Sequence, residues 1–311
     1  AVHEKLYFRN SAGKGTCPVI KIEHDADFAS IFEMRGDRRE QCGEIVDREP
    51  GPRHTCIKYA GLDNTFRKAV FAFSEKMQND GFAATLSLPL MPSASYELYI
   101  SYGKSGGVVL EPSGESHKAA RKNIEAWSKK LEAGFGNFVN SEEEPWAHQS
   151  WKDLCLLMME TEHGLYPAAG IPWYATQFGR DGIITALETI HVNPSIAKGV
   201  LGFLAAHQAT EHDKKASSEP GKIIHEMRTD EMSMTGEKPF KRYYGGADQT
   251  MLFVILAQAY LEKTGDKEFI KRIKPNIDAA LNWMKENRKK RADGFVSYSY
   301  GYGLLSQTWK D

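Results

Sequence analysis

Hydrophobic residues in the first third of the chain occur in short runs, one of which, residues 96–102, alternates around Leu98 and Ile100. The runs lie at residues 19–22, 70–73, 96–102 and 108–110. Turn-forming glycine, proline, asparagine and aspartate separate them, at residues 13–15, 49–52, 79–81 and 106–107. Short runs with this punctuation predict strands, and several in succession predict an antiparallel β-sandwich. Residues 27–33 fit either a short helix or an irregular strand.

The period of the hydrophobic positions becomes helical after residue 112. An apolar stripe on a polar background is formed by Ala120, Ile124, Trp127 and Leu131. We interpret it as a connecting helix that lies against the next domain, and the acidic stretch at residues 141–145 as the start of a new helix. The pattern predicts a β-sandwich domain (residues 1–112), a linker helix (113–145) and a helical domain (146–311).

Helices are predicted to dominate from residue 146 onward. The stripes run through residues 183–190 and 197–204, and through two further sets: Trp151, Leu154, Cys155, Met158 and Met159; and Ile270, Ile273, Ile277, Leu281 and Met284. Asn193, followed by Pro194, and Asp266 are predicted helix N-caps. Residues 251–257 are apolar all round, which predicts a helix buried on every side.

Residues 208–246 have weak periodicity, and a structureless loop of that length is usually functional or disordered. Sequential helices with long aromatic-rich loops between them are typical of a ring of paired inner and outer helices. The sequence covers roughly half of such a ring, by the count of predicted helices.

Charge and cysteine content narrow the classes of function. The 40 basic and 41 acidic residues give a net charge of −1, which provides no electrostatic footprint for nucleic acid or anionic lipid. No apolar run approaches the roughly 20 residues that cross a bilayer.

The four cysteines include no CxxC pair, and we favour buried thiols in a reducing, cytoplasmic compartment over a disulfide among Cys17, Cys42 and Cys56. The start Ala-Val-His-Glu-Lys, with neither Met nor a signal-like segment, suggests a chain that begins inside a longer gene product or after a tag.

Four loop segments combine carboxylates, aromatic residues and glycines beside predicted helices. They span residues 168–181, 220–228, 239–250 and 293–311. Cleavage of a glycosidic bond needs a carboxylic acid and a second carboxylate, roughly 6.5–9.5 Å apart in inverting enzymes. Sugar hydroxyls favour Arg and Asp, and sugar rings favour Trp and Tyr. The segments therefore predict a sugar-binding subsite at the mouth of a helical barrel.

Simpler interpretations compete with this one at several positions. Asp181 and Asp248 precede apolar helices, where helix capping and substrate binding are equally good explanations. His225 is either a loop histidine with local partners or a ligand contact, and Glu226 with Arg228 forms at minimum an i, i+2 pair. The His225–Glu226 dipeptide lacks the second histidine of a zinc-binding HExxH motif, so no metal is expected.

The aromatic residues of these segments are also open to two interpretations. Tyr244, with its neighbour Tyr243, could bind substrate or fill the rim of the barrel. Trp173 and Trp309 lie among glycine, proline and polar residues, a context that favours binding platforms over core packing. Tyr174 lies beside Trp173 in the first segment and is a further candidate substrate contact.

Together the four segments resemble bacterial amylo-alpha-1,6-glucosidases, the glycogen-debranching type of glycoside hydrolase. The resemblance rests on the co-linear motifs AGIPWYATQFGRDGIITALETI, PGKIIHEMR, PFKRYYGGADQT and DGF followed by GLLSQTWKD. Residues 24–36 also resemble the β domain of those proteins. The resemblance implies an (α/α)6 toroid, of which roughly the first half is present, behind an N-terminal β-sandwich. No cofactor is implied.

The resemblance also implies roles for individual residues. It implies an inverting mechanism with an Asp acid and a Glu base. Asp311 of the Trp-Lys-Asp motif matches the general acid, which burial beside Trp309 would keep protonated, and Arg180 with Asp181 resembles the pair that binds the terminal glucose. Thr308 stands where related sequences usually have glycine. The base is expected beyond residue 311, so the chain is expected to be a fragment or to continue, and these 311 residues alone are expected to be inactive.

The resulting hypothesis is a glycoside hydrolase acting on α-1,6 linkages of a glycogen-like glucan or oligosaccharide. Three alternatives remain at this point: a sugar phosphorylase, a sugar epimerase on the same toroid, and a non-catalytic glucan-binding protein. Linkage preference, substrate length and oligomeric state are not determined by the sequence.

Overall fold

The computed structural model describes residues 1–104, 108–133, 145–297 and 307, and these divide into the units Ala1–Trp127 and Ser128–Asp311. The elements of the first unit are strands β1 (Val2–Arg9) and β2 (Val19–Glu23), helix α1 (Ile31–Met34), strands β3 (Glu44–Pro50), β4 (His54–Ala60), β5 (Phe66–Phe73), β6 (Gln78–Asn79), β7 (Ala83–Ser87) and β8 (Ser95–Lys104), and helix α2 (Gly114–Ala133), which continues into the second unit.

The strands of the first unit form two antiparallel sheets. One sheet has the order β1-β8-β5-β4-β3, and the other has the order β2-β7-β6. Side chains of both sheets meet in one hydrophobic core, which includes Phe73 of β5, Ala84 of β7 and Leu98 of β8. Along β4 every second residue is buried, as expected for a strand with one face against a core. The predicted antiparallel sheet domain is confirmed.

The structure decides one open assignment in this unit, in favour of a short helix, and corrects one strand prediction. Residues 31–34 form helix α1, because Ser30 and Glu33 make a reciprocal capping box that supports a helical turn. Residues 108–110, predicted as a closing strand, are not a strand. The backbone N–H of Val109 donates instead to the hydroxyl of Ser101, and Leu110 is exposed.

The cysteines do not follow the prediction of buried thiols. Cys17 and Cys42 are exposed and Cys56 is half-buried, so only Cys155 has the predicted burial. Ile124 of the predicted apolar stripe on α2 is also exposed. Within the described ranges, no helix combines the length and apolar character needed to span a bilayer.

Helices dominate the described part of the second unit, as predicted. Its elements are α3 (Pro145–Leu157), strands β9 (Met158–Thr161), β10 (Gly164–Pro167) and β11 (Gln177–Phe178), helices α4 (Gly179–Thr189) and α5 (Pro194–Ala206), strand β12 (Glu226–Met227), helix α6 (Glu231–Met234), a 3₁₀ turn (Pro239–Lys241), and helices α7 (Asp248–Thr264) and α8 (Lys267–Lys289). Helix α4 packs against α5 and α7, and α7 packs against α8.

The predicted N-caps are confirmed. The side chain of Asn193 accepts from the backbone N–H of Ser195, with Pro194 at the first position of α5. The side chain of Asp266 accepts from the backbone N–H of Phe269 at the start of α8. Each side chain satisfies a donor that a helix start leaves without an intrahelical partner.

Three of the helical predictions are wrong in part. Met158 and Met159 do not continue α3, because they pair with Pro167 and Tyr166 in the β9–β10 hairpin. Ile255 is 54% exposed, so α7 is not buried on every side. On α8, Leu281 is exposed while Ala280 and Trp283 are buried.

The face of α8 that is buried is set by the 217–222 segment. The indole of Trp283 donates to Glu219, and Gly221 lies so close to Ala279 that a Cβ on Gly221 would stand 2.3 Å from the carbonyl oxygen of Ala279. These contacts turn Ala280 and Trp283, instead of Leu281, toward the interior.

Residues 208–246 are not a structureless loop. They contain β12, α6 and the 3₁₀ turn, and they bury both apolar and charged side chains, among them Lys222, Ile223 and Glu226. Long-range backbone hydrogen bonds order this region in place of periodic helices. In one of them the N–H of Tyr244 donates to the carbonyl of Ala216 at 2.8 Å.

Candidate functional site

The first and second motif segments are joined by the short β11–β12 ladder. In its register Gln177 faces Met227 and Phe178 faces Glu226, and the N–H of Gly179 donates to the carbonyl of His225 at 2.9 Å. A Cβ on Gly179 would lie 2.0 Å from the carbonyl oxygen of Ile224. Only glycine allows α4 to start this close to the second segment.

The third motif segment joins the same ladder. The N–H of His225 donates to the carbonyl of Tyr243 at 2.7 Å, and the N–H of Tyr243 donates to the carbonyl of Glu226 at 2.9 Å. The N–H of Arg228 donates to the carbonyl of Phe240 at 2.8 Å. Three segments that are distant in the sequence therefore form one cluster, which we call the three-segment cluster (residues 168–181, 220–228 and 239–250).

Arg180 and Asp248 form an ion pair in this cluster. Arg180 Nη1 lies 3.1 Å from Asp248 Oδ2, and the two side chains are 25% and 21% exposed. The other carboxylate oxygen of Asp248 accepts from the backbone N–H of Gln249 at 2.9 Å. Both residues are therefore held in place while part of each side chain stays accessible to a ligand.

Neither aspartate of the first and third segments is a helix N-cap. The N-caps of α4 and α7 are Phe178 and Ala247, and neither makes a side-chain capping bond. Asp181 and Asp248 lie instead inside the first turns of the two helices, where a carboxylate favours the positive end of the helix dipole.

Arg228 connects the second segment to the first. Its guanidinium pairs with the carboxylate of Glu226, and Nη2 donates to the backbone carbonyl of Trp173 at 3.0 Å. The guanidinium carbon also lies 5.8 Å from the centre of the Phe178 ring. The side chains of Glu226 and Arg228 are only 7% and 10% exposed, so the predicted i, i+2 pair mainly holds the aromatic segment in position.

Trp173 and Tyr174 are the accessible aromatic residues of the cluster. They are 37% and 43% exposed. Two backbone hydrogen bonds between Gly170 and Tyr174 close the turn that carries them, and the Tyr174 ring packs edge-on against Phe178 at 5.8 Å. Their exposed faces have the amphipathic character that suits stacking on a sugar ring.

His225 lies in the interior of the cluster. It is 3% exposed, and its ring packs edge-on between Phe178 at 5.7 Å and Tyr243 at 6.2 Å. Burial, and then the positive charges of Arg180 and Lys222, lower the pKa of His225 to about 3. The imidazole is therefore neutral at neutral pH, and its packing accounts for its position.

One predicted residue lies apart from this group, and two lie outside the described residues. Tyr244 is 5% exposed, its hydroxyl donates to the carbonyl of His207 at 2.9 Å, and it lines a cavity whose other lining residues come from the 208–218 and 233–242 regions. Trp309 and Asp311 lie outside the described residues. Gln307, from the same motif, is buried and donates to the hydroxyl of Ser217 at 3.1 Å.

Two contributors to the cluster were missed in the sequence. Tyr166 is fully buried, and its hydroxyl donates to the carbonyl of Phe178 at 2.7 Å. Burial, and then the charge of Asp181, raise the pKa of Tyr166. Thr250 accepts from the N–H of Ile223 at 3.0 Å. A tyrosine before proline and a threonine in a helix give no sequence signal for such contacts, which depend on the tertiary fold.

The described residues include no group of three or more His, Cys, Asp and Glu side chains arranged to hold a metal ion. The polar groups of the cluster include two Arg–carboxylate pairs, Arg180 with Asp248 and Arg228 with Glu226. Arginine and carboxylate groups suit the binding of neutral polyhydroxylated ligands, since sugar hydroxyls both donate and accept.

Comparison with known proteins places the chain near carbohydrate-active enzymes. Residues 1–101 match the family described as the N-terminal domain of (some) glycogen debranching enzymes. A similar solved structure is that of a human-microbiome protein provisionally named a kojibiose phosphorylase, with a TM-score of 0.53 and 13% identity. The alignment covers 90% of this chain and 40% of that protein, so the chain spans less than half its length. No curated protein matches the chain.

The two matches concern different properties of the chain. The structural match, at 13% identity, concerns the fold, and the family match covers the sheet domain. Both descriptions name enzymes that act on carbohydrates, one by debranching and the other by phosphorolysis. The chain is thus similar to carbohydrate-active enzymes.

Proposed function

We propose that the protein is a glycoside hydrolase that cleaves α-1,6 branch linkages of glycogen-like glucans or oligosaccharides, by inversion with two carboxylates. The observation that carries the proposal is the three-segment cluster, in which the Arg180–Asp248 pair and two accessible aromatic residues lie within one set of connected loops. The proposed architecture is a β-sandwich (1–112), a linker helix (113–145) and the first half of an (α/α)6 toroid (146–311).

In this proposal Arg180 and Asp181 hold the terminal glucose. A guanidinium carries five N–H donors in one plane, more than a single carboxylate takes up, and Asp248 fixes its orientation. A sugar hydroxyl can accept from Arg180 and donate to a carboxylate at the same time. Asp181, one residue further along the first turn of α4, is the proposed acceptor.

Trp173 and Tyr174 are the proposed platform for the sugar ring. Arg228 supports this role by holding the backbone of Trp173 at 3.0 Å. The buried residues His225 and Glu226 keep the second segment in register with the first, and so they act on the platform indirectly. Trp309 is proposed as a further aromatic contact.

Asp311 is the proposed general acid. The contact from Gln307 to Ser217 supports this, because Ser217 also accepts from the ammonium of Lys222 at 2.8 Å, and Lys222 belongs to the second segment. Asp311 lies four positions after Gln307, a span of at most about 14 Å in an extended chain. The general base is expected in sequence that follows residue 311.

Replacement of the proposed acid tests the proposal. Asp311→Asn in the full-length protein is expected to lower turnover of an α-1,6-branched oligosaccharide by about 100-fold or more, the usual contribution of a general acid. Sugar binding, measured by calorimetry, is expected to stay within about threefold of the original. A protonated general acid is neutral, so it contributes no charge to binding of the ground state.

The matched control is Asp293→Asn. Asp293 pairs with Arg291 at an exposed position of the same motif segment, and its replacement is expected to leave turnover unchanged. Near-normal turnover of Asp311→Asn would show that the acid is elsewhere. The chain of 311 residues alone is expected to release no glucose, and release by it would contradict the assignment of the base.

A phosphorylase is the second candidate, favoured by the name of the similar solved structure. The two reactions differ in the acceptor of the glucosyl group: a hydrolase transfers it to water, and a phosphorylase transfers it to inorganic phosphate. Turnover that requires added phosphate and yields a sugar phosphate would support the phosphorylase. Binding of glucan with no product under either condition would support a non-catalytic protein.

A further inference from the structure

A cavity of about 610 Å³ is lined by residues from the 208–218 and 233–244 regions, four of which belong to the third segment. Of the residues assigned to the sugar site, only Tyr244 lines it. Its volume falls within the roughly 300–1,000 Å³ of small-molecule sites. The cavity is thus a candidate ligand site that the proposed function does not use.

Positive charge dominates the lining of this cavity. Four cationic side chains line it, Lys215, Lys238, Lys241 and Arg242, against the two carboxylates Glu211 and Asp213. Asp213 already accepts from the backbone N–H groups of Lys215 and Ala216, at 2.8 and 3.3 Å. The remaining balance favours an anionic ligand.

Three of the four cations of the lining are available to a ligand. Lys215, Lys241 and Arg242 are exposed, and none of the three forms an ion pair with any residue in the described ranges. The positive charge of Arg242 acts on the cavity wall. Burial raises the pKa of Tyr244, and the charge of Arg242 opposes that rise. Lysine and arginine side chains in such a position bind phosphate through charge-assisted hydrogen bonds.

Most of the other polar groups of the lining are already engaged, which disfavours a neutral sugar. Three of the four lining serine and threonine hydroxyls have internal partners: Ser218 donates to the carbonyl of Glu211, Ser233 to Asp230 and Thr235 to the carbonyl of Glu231. The single lining aromatic residue, Tyr244, is buried and donates to His207. The lining therefore lacks an open stacking platform.

We propose that this cavity binds the phosphate group of a small ligand, a sugar phosphate or inorganic phosphate, through Lys215, Lys241 and Arg242. The volume favours the sugar phosphate, because the roughly 300–1,000 Å³ typical of metabolite sites exceeds what a lone phosphate fills. The cavity shares part of the third segment with the three-segment cluster, but its lining includes none of the proposed sugar contacts Arg180, Asp181 and Trp173, so ligand binding here can be measured without catalysis there.

Calorimetric titration of the full-length protein tests this proposal, with glucose 6-phosphate, inorganic phosphate and glucose as probes. We expect glucose 6-phosphate to bind more tightly than inorganic phosphate, and glucose to give no heat. Raising the ionic strength from 0.05 to about 0.5 M should weaken binding, because exposed charges are screened. The triple variant K215M/K241M/R242M should lose at least tenfold in affinity.

The matched control is K263M/K267M/K271M, which removes three exposed positive charges outside the cavity. It should bind glucose 6-phosphate like the original protein. If the two triple variants bind glucose 6-phosphate with equal affinity, the affinity reflects overall charge instead of these three positions, and the proposal is wrong. Binding of glucose as tight as that of its phosphate, or no binding of either phosphate probe, would also overturn it. Tighter binding of inorganic phosphate would retain the site and assign it to phosphate itself.

The three replaced residues are exposed, so the triple variant is expected to fold, and its thermal unfolding should match that of the control. Should it unfold early, the single variant Lys241→Met gives the same test at one position. None of these measurements depends on turnover, so the outcome is independent of whether the protein is a hydrolase.

Discussion

The guanidinium of Arg180 and the carboxylate of Asp248 lie 3.1 Å apart, although the two residues are 68 positions apart in the sequence. The pair joins the first turn of α4 to the first turn of α7, and these helices pack against one another. The proposed sugar-binding arginine is thus positioned by the helix packing itself, while a quarter of its side chain stays exposed.

The first prediction concerns Arg180. We expect Arg180→Met to lower kcat/KM on a branched oligosaccharide by about 10- to 100-fold, because a hydrogen bond from a charged group contributes about 1.5–3 kcal/mol. Steady-state kinetics on the full-length protein measures this. Arg291→Met, which removes an arginine from an exposed Arg–Asp pair, is the control and should change little. Equal kinetics for the two variants would remove Arg180 from the site.

The second prediction concerns Gly179. A Cβ at this position would stand 2.0 Å from the carbonyl oxygen of Ile224, so Gly179→Ala must displace the β11–β12 ladder or the start of α4. We expect the free energy of unfolding to fall by about 3 kcal/mol, the upper part of the range for overpacking. Urea denaturation measures it. Gly170→Ala is the matched control, since its Cβ would meet only Tyr174 at 3.8 Å, and a similar loss in both variants would contradict the prediction.

The third prediction concerns the buried pair of Glu226 and Arg228. Arg228→Met removes the cation from a carboxylate that is 7% exposed, and we expect a loss of about 3 kcal/mol in the free energy of unfolding. The double variant E226Q/R228M should recover much of that loss, because it also removes the buried charge. Additive losses in a double-mutant cycle would show that the two side chains are not coupled.

The fourth prediction concerns the pH dependence of stability. The pKa of His225 falls from 6.5 to about 3 on folding, through burial and the nearby charges of Arg180 and Lys222. As the pH falls from 6.5 toward 3, the unfolded chain takes up a proton that the folded chain does not. The free energy of unfolding should therefore decrease over this window, and His225 should have no such effect above pH 6.5.

Comparison of His225→Gln with the original protein isolates this contribution. The variant should lose stability less steeply between pH 6.5 and about 4, in denaturation curves at each pH. His212→Gln, at an exposed position, is the control and should follow the original curve. An unchanged slope in His225→Gln would mean that the buried imidazole is not kept neutral by the fold.

Local signals in the sequence predicted much of the secondary structure. Asn193 with Pro194 and Asp266 cap the helices they were expected to cap, because capping depends on residues within one turn. Met158 and Met159 were wrongly assigned to a helix, because the competing hairpin partner is set by tertiary structure. The buried face of α8 was misplaced for a similar reason, since the contact of Trp283 with Glu219 crosses 64 residues.

The residues of the candidate site could be predicted from the sequence, but their arrangement in space could not. The sequence identified Arg180, Asp248 and Arg228, yet it could not show that Arg180 pairs with Asp248 or that Arg228 holds the backbone of Trp173. Tyr244, grouped with them by its neighbours in the sequence, lines a cavity that none of these three residues lines, whereas its neighbour Tyr243 packs against His225.

The most direct test of the proposed function is the product that the full-length protein forms from an α-1,6-branched oligosaccharide in phosphate-free buffer. Proton NMR follows both the release of glucose and its anomeric form. The proposal predicts free glucose that appears first as the β-anomer, because inversion at an α-linkage gives β. Absence of glucose without added phosphate, or initial release of the α-anomer, would contradict it.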